Sequence, residues 1–278
     1  MNVLIAERIS AGERRGSSRP VVVETSSGAR IVKLRGAAQG TGPLVAEIIV
    51  AELADSLSLA VPPRSLIELP AAVEAANWDD ELQDLLEASV GLNLGFDFLS
   101  GALDFTPADV GKVSTEERAT ILWLDRLVVN PDRTERNPNL LWWSDQLWLI
   151  DHGAALGFQY SWKRVTESSP QEQAPPPEAH LFESAAHSDE FRFLDDKLAA
   201  QLTRDVLETA VAAVPDSFLL PMLESHASVY PASQLVRRRA AYVAFLWKRL
   251  RPPRSFLSAR PPSAERVRGK RPAWLTKG

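Results

Sequence analysis

The sequence predicts an α+β fold in which a strand-rich first part is followed by a mainly helical second part. Three observations lead to this prediction. β-Branched residues alternate or cluster in short runs before residue 100, apolar residues take helical spacing after residue 104, and the 278-residue chain is 45% hydrophobic. Such a chain can bury a core in one large domain or two lobes. We expect a strand-rich lobe over residues 1–100, a helical lobe over 101–250 and a basic tail over 251–278.

Short strands around one main helix are expected in the first hundred residues. The runs LIAERI and RPVVVETSSGARIVKLRG predict strands, with a hairpin turn from Ser26 to Gly28. The run GPLVAEIIVAELADSLSLAVPP, from Gly42 to Pro63, has helical spacing and ends at a double proline. RSLIEL predicts a further strand, residues 73–95 are expected to hold a second helix, and GFDFLSG predicts the last strand.

The second part opens with a helix-start signal. Ser114 followed by Glu117 forms a capping-box pattern at the head of STEERATILWLDRLVVN, whose apolar residues recur at helical spacing. NLLWW and LWLID predict two strands joined at residues 144–146. Residues 163–187 predict a long loop, and amphipathic helices are expected over 196–214 and 233–250.

Composition excludes several classes of site and membrane topology. The chain has no cysteine, so disulfides, thiolate nucleophiles and cysteine-based metal sites are excluded. Four histidines, at positions 152, 180, 187 and 226, show no metal-ligand spacing. No apolar run has the length of a membrane span, and the N-terminus lacks a secretory signal pattern. We therefore expect a cytoplasmic protein without a transmembrane segment.

Charge is distributed unevenly along the chain. The net charge is −5, yet the stretch from Arg237 to the end carries 13 Lys and Arg residues and one acid, Glu265. The last residues are also rich in proline and serine, which predicts a mobile, solvated tail. A contact of this tail with nucleic acid or an anionic surface is the weaker alternative.

The stretch from Val128 to Gly153 places polar side chains between runs of Leu, Val and Trp, where they need partners or ligands. Asp132 lies five residues before Asn137, and Asp151 follows the predicted hairpin. Each residue alone is typical of a turn. Their combination suits phosphoryl transfer, with Asp132 at the acceptor hydroxyl and with Asn137 and Asp151 as oxygen ligands of Mg²⁺.

A phosphate clamp is expected upstream. Lys33 ends an apolar strand, where its ammonium group can reach the phosphates of ATP. Glu47 lies on an apolar face of the next helix and is the expected partner of Lys33, whereas Glu52 is the weaker candidate. Backbone N–H groups and hydroxyls between the first strands could cover the phosphates, namely those of Gly16, Ser17 and Ser18.

Three stretches together resemble the HipA-like kinases over nearly residues 1–250: GSSRPVVVETSSGARIVKLRG, LVAEIIVAELADSLSLAVPP and VNPDRTERNPNLLWWSDQLWLIDHGAAL. The last stretch is also similar to phosphoinositide kinases. The resemblance implies a bilobal protein-kinase-like fold with a two-stranded catalytic hairpin, ATP and Mg²⁺ as cofactors, and an antitoxin-like protein partner. It also implies Lys33 as the ATP-phosphate lysine, Asp132 as the catalytic base, and Asn137 and Asp151 as metal ligands. HipA toxins often have histidine where this chain has Thr134, which leaves the substrate open.

The leading expectation is therefore an ATP-dependent kinase that phosphorylates a Ser or Thr hydroxyl of a protein. A lipid or small-molecule acceptor stays open, because Ile-Asp-x-Gly is similar to the phosphoinositide kinases and the basic tail could meet an anionic membrane. A non-catalytic nucleotide-binding pseudokinase also stays open. Residues 97–99 are expected to face the adenine through backbone atoms. The tryptophans of the hairpin are expected to pack the core rather than to stack on bases. His152 is expected to fill space or to contact a metal ligand rather than to act in catalysis.

Overall fold

Strands dominate the chain before residue 105 and helices dominate it after residue 114, so the predicted α+β class is confirmed. The computed structural model describes residues 1–10, 20–37, 39–75, 80–172, 179–222 and 231–257. The strands are β1 (Val3–Ile5), β2 (Arg8–Ser10), β3 (Val21–Thr25), β4 (Gly28–Lys33), β5 (Arg64–Leu69), β6 (Glu74–Ala75), β7 (Gly91–Asp97), β8 (Leu103–Asp104), β9 (Leu140–Trp143) and β10 (Gln146–Leu149). The helices are α1 (Gly42–Ser56), α2 (Asp80–Glu87), α3 (Thr115–Leu127), α4 (Asp189–Gln201), α5 (Arg204–Ala212), α6 (Asp216–Leu219) and α7 (Pro231–Arg249).

The first part forms a seven-stranded sheet with the order β1-β5-β7-β4-β3-β2-β6. Its pairs are antiparallel except β1 with β5 and β2 with β6, which are parallel. Strand β4 is the fourth of the seven strands, and its last residue, Lys33, pairs with Leu94 of β7. Lys33 therefore lies on the middle strand of the sheet. Alternating burial along β3 and β5 gives the sheet two distinct faces.

The two faces of the sheet are covered by different helices. Leu82 and Leu86 of α2 form a small core with one face, which includes Val32 and Ile67. The other face contributes Leu94 to the main core, which includes α1 and most of the helical part. Successive side chains of a strand point to opposite faces, so Lys33 points towards α1 while its neighbour Val32 points towards α2.

Helix α1 is apolar on nearly all sides because it is enclosed on nearly all sides. It packs between the sheet and the helices α5 and α6. A proline in its first turn supports the start of the helix. The helix ends at Ser56 rather than continuing to Pro63, because Ser58 has a left-handed backbone with φ of 60°. The extended residues beyond it accept a hydrogen bond at the Ala60 oxygen from Leu149 N, at 2.8 Å, which attaches the β9–β10 hairpin.

The hairpin of β9 and β10 forms as predicted and pairs with β8 in a three-stranded sheet. Its turn residues Ser144 and Asp145 both have positive φ, which suits a tight two-residue turn. The rings of Trp143 and Trp148 lie edge to face with centroids 5.4 Å apart, and Trp142 packs against the main core. The tryptophans therefore pack the hairpin, as expected.

Capping side chains fix the starts of helices α3 and α5. The Ser114 hydroxyl accepts a hydrogen bond from Glu117 N at 3.1 Å, which confirms the predicted cap of α3. The single helix expected over 196–214 is instead two helices, α4 and α5. Thr203 divides them because its hydroxyl accepts from Val206 N at 3.3 Å and caps a new helix.

The first seven residues of the expected tail do not project from the body. Phe256 is buried, with its ring 5.7 Å from that of Trp123, and Arg254 pairs with Asp195 at 2.5 Å. The apolar ring and the paired cation thus contact the helical part, although the composition of the segment favours solvent. The rest of the tail lies outside the described residues, as does the loop with Gly16, Ser17 and Ser18. Within the described ranges, no helix has both the length and the apolar character needed to span a membrane.

Candidate functional site

Three elements bring their charged side chains together at Lys33. Its ammonium group, at the end of β4, donates to Oε1 of Glu47 on α1 and to Oδ1 of Asp151, which follows β10, at 2.6 Å. Glu47 is fully buried, whereas the side chain of Asp151 is 42% exposed. The expected Lys33–Glu47 ion pair is thus present, and Glu52 pairs with Arg64 instead. The direct contact between Lys33 and Asp151 was not predicted from the sequence.

The charges of Lys33 and Asp151 reinforce each other. Burial alone would lower the pKa of Lys33, but the charges of Glu47 and Asp151 and its hydrogen bonds to them raise it. Burial alone would raise the pKa of Asp151, but the charge and hydrogen bond of Lys33 lower it. Lys33 is therefore a cation and Asp151 an anion near neutral pH.

The backbone around Asp151 is shaped by close packing. The backbone of Asp151 has a left-handed conformation, with φ of 55°. The preceding residue is held by a hydrogen bond from Ile150 N to Asn139 O at 3.1 Å. A Cβ at Gly153 would lie 3.1 Å from the Cβ of Pro43 and 3.4 Å from Oε1 of Glu47. Glycine at this position thus allows the chain to pass close to α1.

Two amides hold the side chain of Asp132. Its Oδ2 accepts from Nδ2 of Asn137 at 2.9 Å and from Nδ2 of Asn139 at 3.2 Å. The Asn139 amide also donates to the backbone oxygen of Asp151 at 3.4 Å, which links the two aspartates. The sequence-predicted residues Asp132 and Asn137 therefore meet. Asn139 was missed, although Asn-Pro-Asn offered it as a second amide.

A network of buried polar side chains supports the loop that carries Asp132. Asp125 on α3 accepts from Nε of Arg133 at 2.5 Å, from Nδ2 of Asn130 at 2.8 Å and from Nε2 of His180 at 2.9 Å. Arg133 is fully buried and also donates to the backbone oxygens of residues 138 and 139. It therefore fixes both sides of the loop that carries Asp132. The signal available in the sequence was Asp125, a lone acid within an apolar helical run.

His152 lies between this network and the Lys33 cluster. It is fully buried, and its Nδ1 lies 3.5 Å from Nη2 of Arg133. Burial, with the nearby charge of Arg133, lowers the pKa of His152 to about 3. Its imidazole is therefore neutral at physiological pH.

Two cavities meet at Lys33 and Asp151. The larger, of about 760 Å³, is lined by Asn137, Asn139 and the segment 97–99 that was expected to face the adenine. The smaller, of about 230 Å³, is lined by Asp132 and by residues of the β4–α1 connection. Among the residues that the structure describes, Lys33 and Asp151 alone line both cavities.

The donor set fits a magnesium ion of the kind that also binds phosphate oxygens. Mg²⁺ prefers oxygen ligands and is often held by one or two carboxylates together with substrate phosphates. Asp151 and Asn137 supply a carboxylate and an amide oxygen beside the larger cavity. In the part of the chain that the structure describes, no group of three or more acidic or histidine side chains forms a closed metal site.

Comparison with known proteins identifies the family. The model of the HipA-like kinase family matches residues 5–231, and the chain belongs to this family. Among solved structures, the proinflammatory kinase CtkA of Helicobacter pylori is similar, with 10% sequence identity and a TM-score of 0.49. That similarity covers 88% of this chain and 97% of the other. The chain matches none of the curated proteins.

Proposed function

We propose that this chain is an ATP- and Mg²⁺-dependent kinase that transfers the γ-phosphoryl group of ATP to a Ser or Thr hydroxyl of a protein. Membership of the HipA-like kinase family supports the reaction class. The observation that carries the proposal is the double contact of Lys33 with Glu47 and Asp151, beside an Asp132 held by Asn137. Phosphoryl transfer needs such an arrangement of a cation, metal ligands and a carboxylate at the acceptor.

The larger cavity is the proposed nucleotide site. Its volume of about 760 Å³ falls within the range of about 300–1,000 Å³ typical of small-molecule sites. Lys33 lines this cavity and would bind the phosphates, while residues 97–99 would border the adenine. Its apolar lining includes the side chains of Ile31, Val61, Phe96, Leu140 and Ile150. The loop with Gly16, Ser17 and Ser18 is proposed to cover the phosphates.

Asn137 and Asp151 are proposed to hold Mg²⁺ in this site. When bound, the ion neutralises charge on the transferred phosphoryl group and orients it. Lys33 keeps the Asp151 carboxylate ionised and fixed in place before any ion arrives, because it lowers the pKa of Asp151 and bonds its Oδ1.

Asp132 is proposed to orient the acceptor hydroxyl and to receive its proton. The amides of Asn137 and Asn139 both donate to Oδ2 of Asp132, so Oδ1 is the oxygen available to an incoming hydroxyl. The buried Arg133 keeps the loop in position through its bonds to Asp125 and to the Asn139 oxygen. The chain thus supplies both the base and its support.

Transfer of label from γ-labelled ATP tests this proposal. The chain is incubated with labelled ATP, Mg²⁺ and a protein mixture, in parallel with Asp132→Asn and with Asp145→Asn. Asp145 lies in the exposed turn of the hairpin and serves as the matched control. We expect Asp132→Asn to lower the transfer rate on the order of a hundredfold or more, and Asp145→Asn to retain it. Equal rates in wild type and Asp132→Asn would contradict the proposed role of Asp132.

The same proposal includes the two-lobe division near residue 100, an antitoxin-like protein partner and a cytoplasmic location. The family membership supports these points. Co-purification of the natively expressed chain, followed by mass spectrometry, tests for the partner. Recovery of the chain alone at native expression levels would argue against a stable antitoxin-like complex.

A further inference from the structure

The start of helix α1 is held by the helical part of the protein rather than by a cap of its own. Thr41 is the N-cap residue, yet its side chain accepts no hydrogen bond from the helix. A threonine at this position usually accepts one from the first turn. The Thr41 hydroxyl instead donates to the backbone oxygen of Phe218 at 2.6 Å. The first turn of α1 is thereby attached to helix α6.

A buried amide makes a second attachment. Gln159 is 3% exposed, and its Nε2 donates to the backbone oxygen of Gly42 at 3.2 Å. Its Oε1 accepts from the hydroxyl of Tyr242 on α7 at 2.9 Å. Because a backbone oxygen can only accept, the amide nitrogen must face Gly42 and the amide oxygen must face Tyr242. Gln159 therefore connects the first residue of α1 to α7 through both ends of its amide.

Close packing leaves the start of α1 little room to move. A Cβ at Gly42 would lie 2.7 Å from Cε1 of Tyr160, so the ring lies directly against the helix start. The Tyr242 ring is fully buried and lies edge to face with Trp162, at 5.1 Å between centroids. The hydroxyl that orients Gln159 is thus itself fixed by its surroundings.

The position of Glu47 depends on this start. Glu47 follows Gly42 by five residues, or about 7.5 Å along the helix axis. Helix α1 packs on α5 and α6, whereas Lys33 belongs to the sheet. The Lys33–Glu47 ion pair therefore joins the sheet to the helical part. In protein kinases the corresponding pair must be in place before transfer can occur.

We propose that Gln159 is a positioning residue, whose amide fixes the start of α1 and thereby holds the carboxylate of Glu47 at Lys33. This inference rests on the proposed function, since it gives a part in phosphoryl transfer to a residue outside the described lining of both cavities. Tyr242 contributes through its hydroxyl, which orients the amide. The helical part would thus keep the ion pair assembled before nucleotide binds.

Two conservative variants test the assignment. Gln159→Met keeps the length of the side chain and removes both polar atoms, and Tyr242→Phe removes one oxygen. Gln201→Met makes the same change at an exposed position at the end of α4 and is the matched control. Urea denaturation first shows which variants are fully folded at the assay temperature. If Gln159→Met is not, Tyr242→Phe carries both measurements.

Hydrogen exchange with mass spectrometry measures the anchoring directly. Peptides over residues 42–49 should exchange their amide hydrogens about fivefold faster or more in Gln159→Met than in Gln201→Met, because the first turn of α1 opens more often. Tyr242→Phe should change the same peptides by a smaller factor. Peptides over α2, on the other face of the sheet, should exchange at the wild-type rate in every variant.

Kinetics measure whether the anchoring reaches the reaction. Label transfer from γ-labelled ATP to the same protein mixture is followed over a range of ATP concentrations. We expect kcat of Gln159→Met to fall about tenfold while KM for ATP changes less than about twofold, because Gln159 acts through Glu47 and does not contact the nucleotide. Tyr242→Phe should lower kcat about threefold. The double variant should match Gln159→Met, since both residues act through one chain of bonds.

Unchanged exchange at the start of α1 in the folded variants would overturn the assignment. So would a kcat of Gln159→Met equal to that of Gln201→Met, a rise in KM in place of the fall in kcat, or effects on kcat that multiply in the double variant. Wild-type protein that transfers no label would overturn the proposed function itself. Hydrogen exchange would then still decide whether Gln159 holds α1, so the two failures are distinguishable.

Discussion

Two clusters of charged side chains flank the Asp132 loop, and they differ in how completely the protein satisfies them. The Asp125 cluster is buried, and three side chains donate to that one carboxylate. The Lys33 cluster opens to two cavities, and the side chain of Asp151 is 42% exposed. We infer that the first cluster is a support for the loop, whereas the second is available to ligands.

The difference shows how one short segment serves both structure and chemistry. Arg133 and Asp132 are neighbours in the chain, yet Arg133 is fully buried and Asp132 lines a cavity. Buried ion pairs contribute little net stability when intact, but the loss of one partner leaves an uncompensated charge. Substitutions in the buried cluster should therefore lower the stability of the fold. Substitutions in the open cluster should weaken ligand binding.

Removal of Arg133 should give the largest change in stability. Arg133→Met leaves Asp125 buried without its main cationic partner, so we expect the free energy of unfolding to fall by about 3–5 kcal/mol. Urea denaturation followed by circular dichroism measures this change. Arg204→Met is the control, because Arg204 forms an exposed ion pair with Glu208 and should cost at most about 0.5 kcal/mol. Similar losses in both variants would remove the distinction between the clusters.

Asp151→Asn should separate ligand binding from folding. Without ligand, we expect this variant to lose at most about 1 kcal/mol of unfolding free energy, because it gives up the ion pair with Lys33 at a partly exposed side chain. With Mg²⁺ and ATP at about a hundred times the dissociation constant, wild type should gain about 2.7 kcal/mol of stability. The variant should lose the Mg²⁺-dependent part of this gain, as measured by thermal shift with and without the ion. An identical Mg²⁺ response in both proteins would contradict the metal assignment, and Asp145→Asn provides the control.

The acid limb of stability should report on the buried cluster. Burial alone would raise the pKa of Asp125, but the charges and hydrogen bonds of Arg133 and His180 hold it well below its ordinary value of 3.8. As the pH falls below that value, Asp125 binds a proton in the unfolded chain but stays ionised in the folded protein. The folded state therefore loses stability relative to the unfolded state.

Between pH 5 and pH 3, wild type should therefore lose about 1 kcal/mol more unfolding free energy than Asp125→Asn does. Urea denaturation at a series of pH values provides the comparison, with each protein referenced to its own value at pH 5. A parallel pH dependence in the two proteins would show that Asp125 is not held ionised by its buried partners.

Local patterns were sufficient to predict the Lys33–Glu47 pair and the hairpin. An acid on an apolar helix next to a strand-end lysine has few other partners, and alternation around Ser144 and Asp145 specifies a tight turn. The family resemblance, confirmed over residues 5–231, covered most of the chain. These features depend on residues that are close in the sequence, or on motifs that are short continuous stretches of it.

The missed features depend on contacts between distant parts of the chain. His180 reaches Asp125 from 55 residues away, through a segment expected to be a plain loop. The contact of Lys33 with Asp151 requires the hairpin to dock beside α1, which the bond from Leu149 to Ala60 secures. Neither packing arrangement has a periodic or turn signal, so hydrophobic patterning alone could not reveal it.

A crystal structure with Mg²⁺ and a non-hydrolysable ATP analogue tests the central claim most directly. The claim is that Asp151 and Asn137 converge on a metal ion at the phosphates, beside Lys33. We predict one Mg²⁺ at about 2.0–2.1 Å from oxygens of both side chains. Lys33 should contact a phosphate, and the adenine should lie within the larger cavity. A nucleotide bound elsewhere, or a metal ion without a ligand from Asp151, would contradict the account.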